Sequence, residues 1–139
     1  SYLDYEPEPA VVGVANLQHL ATMVEGRLSQ PAPSVIELVR ALHPTPAVAG
    51  DPRDAAFALI ARLEPGGRGR YAGPVGWVDA AGDGEWGIAL RCAQIGSEAT
   101  DGTLPVIAHA GAGIVEGSEP ETELLETRVK FRPIVDALA

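Results

Sequence analysis

AGAGIVEGSEPETELLETRVK, residues 110–130, is a glycine-rich turn that runs into a helix. Ser118 followed by Glu121, with Pro120 in the first turn, reads as a capping box at the helix start. On a 3.6-residue period, Glu123, Glu126 and Lys130 fall within roughly 60° of one another around the axis. The neighbouring face holds Leu124, Phe131, Val135 and Leu138, which suits burial. Two carboxylates and an ammonium beside open backbone amides are what a metal-bridged anionic ligand needs. A solvated face stabilised by the Glu126–Lys130 pair, contributing a few tenths of a kcal/mol, is the other reading of the same spacing. Pro133 removes a helical hydrogen bond, so a kink or an end near Arg132 is expected.

Upstream, LPVIAHA (104–110) reads as a short buried strand feeding the glycine turn. YAGPVGWVDA (71–80) and EWGIALRCAQI (85–95) read as two strands of a hairpin joined by AGDG. Pro74 and the glycines make the first of these irregular, as a strand lining a site would be. Asp51 and Pro52 predict an N-cap and first position for a helix over 52–64, with an apolar stripe at Ala55, Ala56, Leu59, Ile60 and Leu63 and a stop at Gly66–Gly67. HPTPAVAGDP (43–52) reads as an extended loop. Ser34 with Glu37 is a second capping box, opening a helix to about Leu42. Residues 11–28 read as one long strand with Leu17, His19, Ala21 and Met23 on one face, and residues 1–10 as a loop.

The composition is that of a soluble globular protein with one core's worth of chain: 139 residues, 46% hydrophobic and 21% charged. No apolar run approaches the ~20 residues of a membrane span, and the acidic, proline-bearing start is unlike a signal peptide. The lone Cys92 excludes an internal disulfide and a cysteine-rich zinc site, so a reducing cytoplasm is the expected location. A net charge of −9 argues against a nucleic-acid surface. An acidic protein that takes an anion must concentrate positive charge locally, and Arg91, Lys130 or a bound ion are the candidates. Arg91 lies in a stretch that otherwise reads apolar, where a cation should be paired or at an edge.

Four segments, QHLAT, ALHPTPAVAGDPRDAA, YAGPVGWVDAAGDGEWGIALRCA and AGAGIVEGSEPETELLET..K, occur in the order found in chorismate-utilising enzymes, and the chain resembles the C-terminal half of that family's catalytic domain from about Gln18 to Leu138. HPTPAVAG and GPVGW.DA.GDGEW resemble the isochorismate synthase branch. The SGAPK-like stretch usual in anthranilate-type relatives is missing.

The resemblance implies a magnesium-dependent isomerisation of chorismate to isochorismate, feeding siderophore, salicylate or menaquinone synthesis. It implies that Glu123 and Glu126 bind Mg2+ and that Lys130 lies near a ligand carboxylate. Arg91 and Tyr71 would hold the enolpyruvyl carboxylate, and Gly111 and Gly113 would offer backbone N–H groups. His19 would lie by the substrate ring, and Thr45 would line the pocket. His43 and His109 match no family role and read as structural, Cys92 as an inert buried thiol, and Trp77 and Trp86 as packing. The family's base lysine, acid glutamate and a further metal-binding glutamate lie upstream of these motifs.

The expected fold is therefore α+β, a largely antiparallel sheet packed with helices and forming half of the family's layered α/β sandwich. Residues 1–139 are expected to be the C-terminal part of one chorismate-binding domain, inactive alone, partnered by the N-terminal half and prone to self-association through uncovered edges. Another chorismate-converting enzyme, of salicylate or anthranilate synthase type, and a non-catalytic ligand-binding fragment are the alternatives.

Overall fold

A computed structural model describes residues 2–14 and 17–138, apart from the side chains of Val14 and Leu17. The chain divides into two compact units, one ending at Leu38 and the other beginning at Val39. All strand pairing among the described residues is antiparallel and is divided among four two-stranded ladders. Helices accompany the ladders, so the α+β expectation holds.

In the first unit, β1 (Tyr2–Tyr5) pairs with β4 (Val24–Arg27), and β2 (Ala10–Val14) pairs with β3 (Leu17–Ala21). The single strand predicted over 11–28 is thus three strands, and the predicted loop at the start contains β1. The physical reason is backbone satisfaction. One long strand would leave its N–H and C=O groups without partners, whereas folding back pairs them. Residues 15 and 16, inside the predicted strand, lie outside the described residues, as does the Leu17 side chain that was expected to share a face with His19. α1 (Val35–Leu42) begins where the capping box put it. The Ser34 N–H donates to Glu37 Oε2 at 2.8 Å, and the Glu37 N–H donates to Ser34 Oγ at 3.3 Å.

In the second unit, α2 (Pro46–Ala49) is a single turn inside the stretch predicted as extended. α3 (Arg53–Leu63) follows with Pro52, not Asp51, at its N-cap and no side-chain cap. The two helices meet closely: a Cβ on Gly50 would lie 2.8 Å from that of Ala56, and Gly50 has φ +98°, so both space and backbone demand glycine.

β5 (Pro74–Val78) and β6 (Gly84–Ile88) form the predicted hairpin. Its turn is tied by Asp79, whose carboxylate accepts the N–H groups of Ala81 at 2.8 Å and Asp83 at 3.0 Å. The strand predicted over 85–95 is broken. After β6 the chain turns at Ala89–Arg91 and resumes as β7 (Cys92–Ile95), which pairs with β8 (Val106–His109). Arg91 therefore stands at a corner with φ +49°, not within an apolar strand. The corner lets one run of chain hydrogen-bond to two different strands. No glycine or proline marks it in the sequence.

α4 (Pro120–Leu138) packs against β8 and continues through Pro133, against the expectation that it ends near Arg132. Ser118 does not close a box with Glu121. Its hydroxyl instead accepts the Val115 N–H at 3.1 Å, tightening the turn before the helix. The face expected to be buried is also shifted: Ile134 is buried and Phe131 half-buried, while Leu124, Val135 and Leu138 are exposed. On α3 likewise, Ala56 and Ile60 are half-buried, but Ala55, Leu59 and Leu63 are exposed. The buried side chains among the described residues are Ala49, Ala72 and Ile134, all in the second unit. Trp77 is exposed. Trp86 is half-buried, with its Nε1 buried and unpartnered among the described residues.

Candidate ligand site at the glycine turn

The turn after β8 is where the second unit gathers its polar chemistry. Lys130, on the second half of α4, reaches back so that Nζ donates to the Gly111 carbonyl at 3.2 Å and to Glu126 Oε1. The lysine side chain is only 20% exposed, so its charge is confined to this spot. The i,i+4 spacing on α4 brings Glu126 to Lys130, and the i,i+3 spacing puts Glu123 one turn further up the same side. Glu123 is half-buried.

Tyr71 arrives from the loop between α3 and β5. Its N–H donates to the Arg68 carbonyl at 2.8 Å, and the next residue joins the sheet through Ala72 N–H to Ala89 O at 2.8 Å. Ala72 is buried and takes φ +63° to make that connection. The phenol then lies over the glycine turn: a Cβ on Gly111 would come within 2.9 Å of Tyr71 Oη. Among the described residues, nothing lies within 4 Å of the corresponding position of Gly113.

Two residues outside the expected set flank the ring, and a third holds one of them. His109 stacks on it, with centroids 5.2 Å apart and planes inclined by 16°. The Arg68 guanidinium lies 5.7 Å from the ring centroid. Arg68 is in turn held by Glu64 through Nε to Oε2 at 2.8 Å and Nη2 to Oε1 at 2.7 Å. Hydrogen bonding to Arg68 pulls the Glu64 carboxyl below its ordinary value, and the same bonds push Arg68 up. Burial raises the Tyr71 hydroxyl above its ordinary value against the opposing pull of Arg68, so it remains a neutral donor at working pH. His109, expected to be structural, thus contacts a candidate ligand-binding side chain. The i,i+4 spacing of Glu64 and Arg68 at a helix end was the available signal for that pair.

Arg91 lines a shallow groove of about 260 Å³ with Ala93 of β7 and Pro133, Ile134, Ala137 and Leu138 of α4. It is thus beside the helical turn that follows Lys130. Cys92, its neighbour, is half-buried, with Sγ 3.5 Å from the Ala89 carbonyl oxygen.

The structure therefore brings Tyr71, Gly111, Glu126 and Lys130 together, with Glu123 and Arg91 at the flanks along α4. Thr45 is exposed at the start of α2, where its carbonyl accepts the N–H groups of Val48 and Ala49 and its hydroxyl caps nothing. His19 is exposed on β3 opposite Val12, in the first unit. Among the described residues no three His, Cys, Asp or Glu side chains converge as a metal site. Two carboxylates on one helix suit magnesium, which takes one or two protein carboxylates and completes its octahedron with water and ligand oxygens. Chemically the site offers a confined cation, a phenolic donor and a backbone turn to an anion, with carboxylates beside them for a divalent ion. No helix among the described residues is long and apolar enough to cross a membrane.

Comparison with known proteins bears on this site. The "chorismate binding enzyme" family profile matches residues 1–139. The chain is 45% identical over 136 residues to isochorismate synthase DhbC of Bacillus subtilis, covering 98% of this chain and 33% of the relative. It is 43% identical to the vibriobactin-specific isochorismate synthase of Vibrio cholerae, covering 93% of this chain and 31% of the relative. A Bacillus anthracis crystal structure named as a 2,3-dihydroxybenzoate-specific isochorismate synthase, DhbC, superposes with a TM-score of 0.87 at 42% identity, covering 99% of this chain and 35% of that one. The chain thus spans about a third of the length of the relatives it matches.

Proposed function

The chain belongs to the chorismate-binding enzyme family, and we propose that it is the ligand- and metal-holding part of a longer isochorismate synthase that converts chorismate to isochorismate in the cytoplasm. The observation that supports this most is the seat of Lys130. An ammonium held between Glu126 and the carbonyl of Gly111, the residue that the Tyr71 hydroxyl also approaches, can meet a carboxylate without first being drawn from solvent.

Chorismate is a dianion, and each carboxylate needs a desolvated partner, because burying one unpaired costs several kcal/mol. In this reading Arg91 offers a bidentate fork and Tyr71 a neutral O–H to the enolpyruvyl carboxylate. Gly111 and Gly113 offer backbone N–H groups. Lys130 stands near a ligand carboxylate. Glu123 and Glu126 would hold Mg2+, which would supply positive charge against the ligand's carboxylates. Thr45 would line the pocket, and a role for His19 by the ring rests on the family resemblance alone. The isomerisation adds water at one ring carbon and expels hydroxide from another, which requires a base and an acid. Neither is among the residues gathered at the glycine turn, so the remainder of the longer enzyme is proposed to supply them. The product would feed siderophore, salicylate or menaquinone synthesis.

The test is product chromatography of the longer enzyme with chorismate and magnesium. Isochorismate as the product, lost on chelation and regained with Mg2+, is the expected result. Salicylate with pyruvate would overturn the isomerase reading in favour of a salicylate synthase.

A further inference from the structure

We propose that Glu64, Arg68 and His109 form a clamp that positions the Tyr71 hydroxyl over the glycine turn, and so sets the affinity for the ligand carboxylate. This rests on the reading of the site given above.

Tyr71 belongs to a loop, and loop side chains sample many positions unless held. Here the ring is held from two regular elements. Glu64 ends α3, its N–H donating to the Ile60 carbonyl at 2.8 Å, and its carboxylate fixes the Arg68 guanidinium in a two-bond fork. That fork takes up Nε and Nη2, and the carboxylate neutralises the charge. Arg68 is therefore occupied with the ring and with Glu64 rather than with a ligand carboxylate. His109 is the last residue of β8, fixed in the ladder opposite Cys92, and it stacks on the phenol. Two residues later the same segment provides Gly111, whose carbonyl is held by Lys130 and whose missing side chain leaves room for Tyr71 Oη. The stacking partner, the glycine turn and the lysine are thus linked within a few bonds. A donor held in place before the ligand arrives loses less freedom on binding, which strengthens binding.

Glu64, Arg68 and His109 are positioning residues. Their removal should raise KM for chorismate and leave kcat nearly unchanged, because a carboxylate remote from the reacting carbons is bound alike in ground and transition states. In the longer enzyme, Tyr71→Phe should raise KM roughly tenfold, the loss of one hydrogen bond to a charged group. Arg68→Ala should raise it several-fold, and the double variant should be no worse than Tyr71→Phe alone, since both act through one hydroxyl. His109→Phe, which keeps a stacked ring, should retain the parent KM, whereas His109→Ala should not. Glu64→Gln serves where Arg68→Ala fails to fold, and it should raise KM in the same direction. Multiplying KM effects in the double variant, or an Arg68→Ala defect confined to thermal stability and kcat, would overturn the clamp. The parent enzyme is assayed first. Without isochorismate formation there, the functional reading falls and the clamp with it. With turnover intact, the double-variant comparison judges the clamp alone.

Discussion

Residues 2–38 and residues 39–138 reach the same kind of structure by unequal means. In the first unit not one described side chain is buried, and order comes from two backbone ladders and a capped helix start. The second unit has its three buried side chains, a helix packed on a strand, and a polar cluster that ties α3, β8 and α4 together through Tyr71, Gly111 and Lys130. Local signals are thus enough to specify geometry, but they do not stabilise it. Isolated two-stranded ladders are marginal in water, and a domain needs a hydrophobic core to offset its chain entropy. Leu20 and Met23, at 72% and 71% exposed, and Ile114 and Val115, each at 72%, are apolar groups that require a cover.

The largest expected effect tests that inequality directly. The 139-residue chain alone should give no isochorismate and no sharp calorimetric transition, should bind a hydrophobic dye and should self-associate in sedimentation. Joined to the remaining two-thirds of a relative such as the Bacillus subtilis enzyme, it should unfold cooperatively. A monomer of the chain that melts sharply by itself would break the comparison. Next in size, Glu123→Ala should abolish magnesium-dependent chorismate binding in the longer enzyme, measured by calorimetric titration. Unchanged magnesium dependence would remove Glu123 from the site.

Two glycine substitutions separate stability from binding within the second unit. At Gly76 a Cβ would lie 2.2 Å from the Glu85 carbonyl oxygen and 2.6 Å from the Trp86 ring. Since backbone cannot step aside, Gly76→Ala should cost about 3 kcal/mol, the upper end of overpacking, and should lower the melting temperature of the longer enzyme. At Gly111 the obstacle is the tip of Tyr71, which can tilt, so Gly111→Ala should raise KM with a smaller loss of stability. Equal melting losses at both positions would contradict that separation.

What could be read in the sequence follows the same division. The Ser34–Glu37 box, the AGDG hairpin and the strand within 104–110 depend on residues within a few positions of one another, and each is present, although Val106 and Ile107 of β8 are exposed where a buried strand is expected. The corner at Arg91 and the division of residues 11–28 into strands depend on which strand lies alongside, and no local residue records that. The covered faces of α3 and α4 are not legible in the sequence, because periodicity marks an apolar stripe whether or not anything covers it. Pro133 was expected to interrupt α4, yet the helix runs on through it. At the site, residue types with spacing and family resemblance singled out Tyr71, Gly111, Glu126 and Lys130. The support around the phenol was missed because stacking by His109 joins positions far apart in the chain.

A smaller effect tests the first unit. Ser34→Ala removes the hydroxyl that accepts the Glu37 N–H, and about 1 kcal/mol of stability should go with it. Ser34→Asp should restore most of it, as another good cap. Denaturant titration of the longer enzyme reads both. An unchanged midpoint in Ser34→Ala would mean that α1 is held by what covers it rather than by its cap.

The smallest effect belongs to Glu64 and carries a definite sign. Its carboxyl is held below the ordinary 4.5, chiefly by the hydrogen bonds from Arg68, so the folded state favours the ionised form. The stability it lends is whole above that ordinary value and is lost as pH falls through the lower folded-state value. The Glu64 side chain is 41% exposed, so solvent screening should keep the contribution under about 1 kcal/mol. Melting curves of the longer enzyme and its Glu64→Gln variant should differ slightly at neutral pH and converge in acid, while Arg68 stays charged throughout. A parent that melts below Glu64→Gln at neutral pH and meets it in acid would mean that the ion pair opposes folding, and Tyr71 would then owe its position to His109 alone.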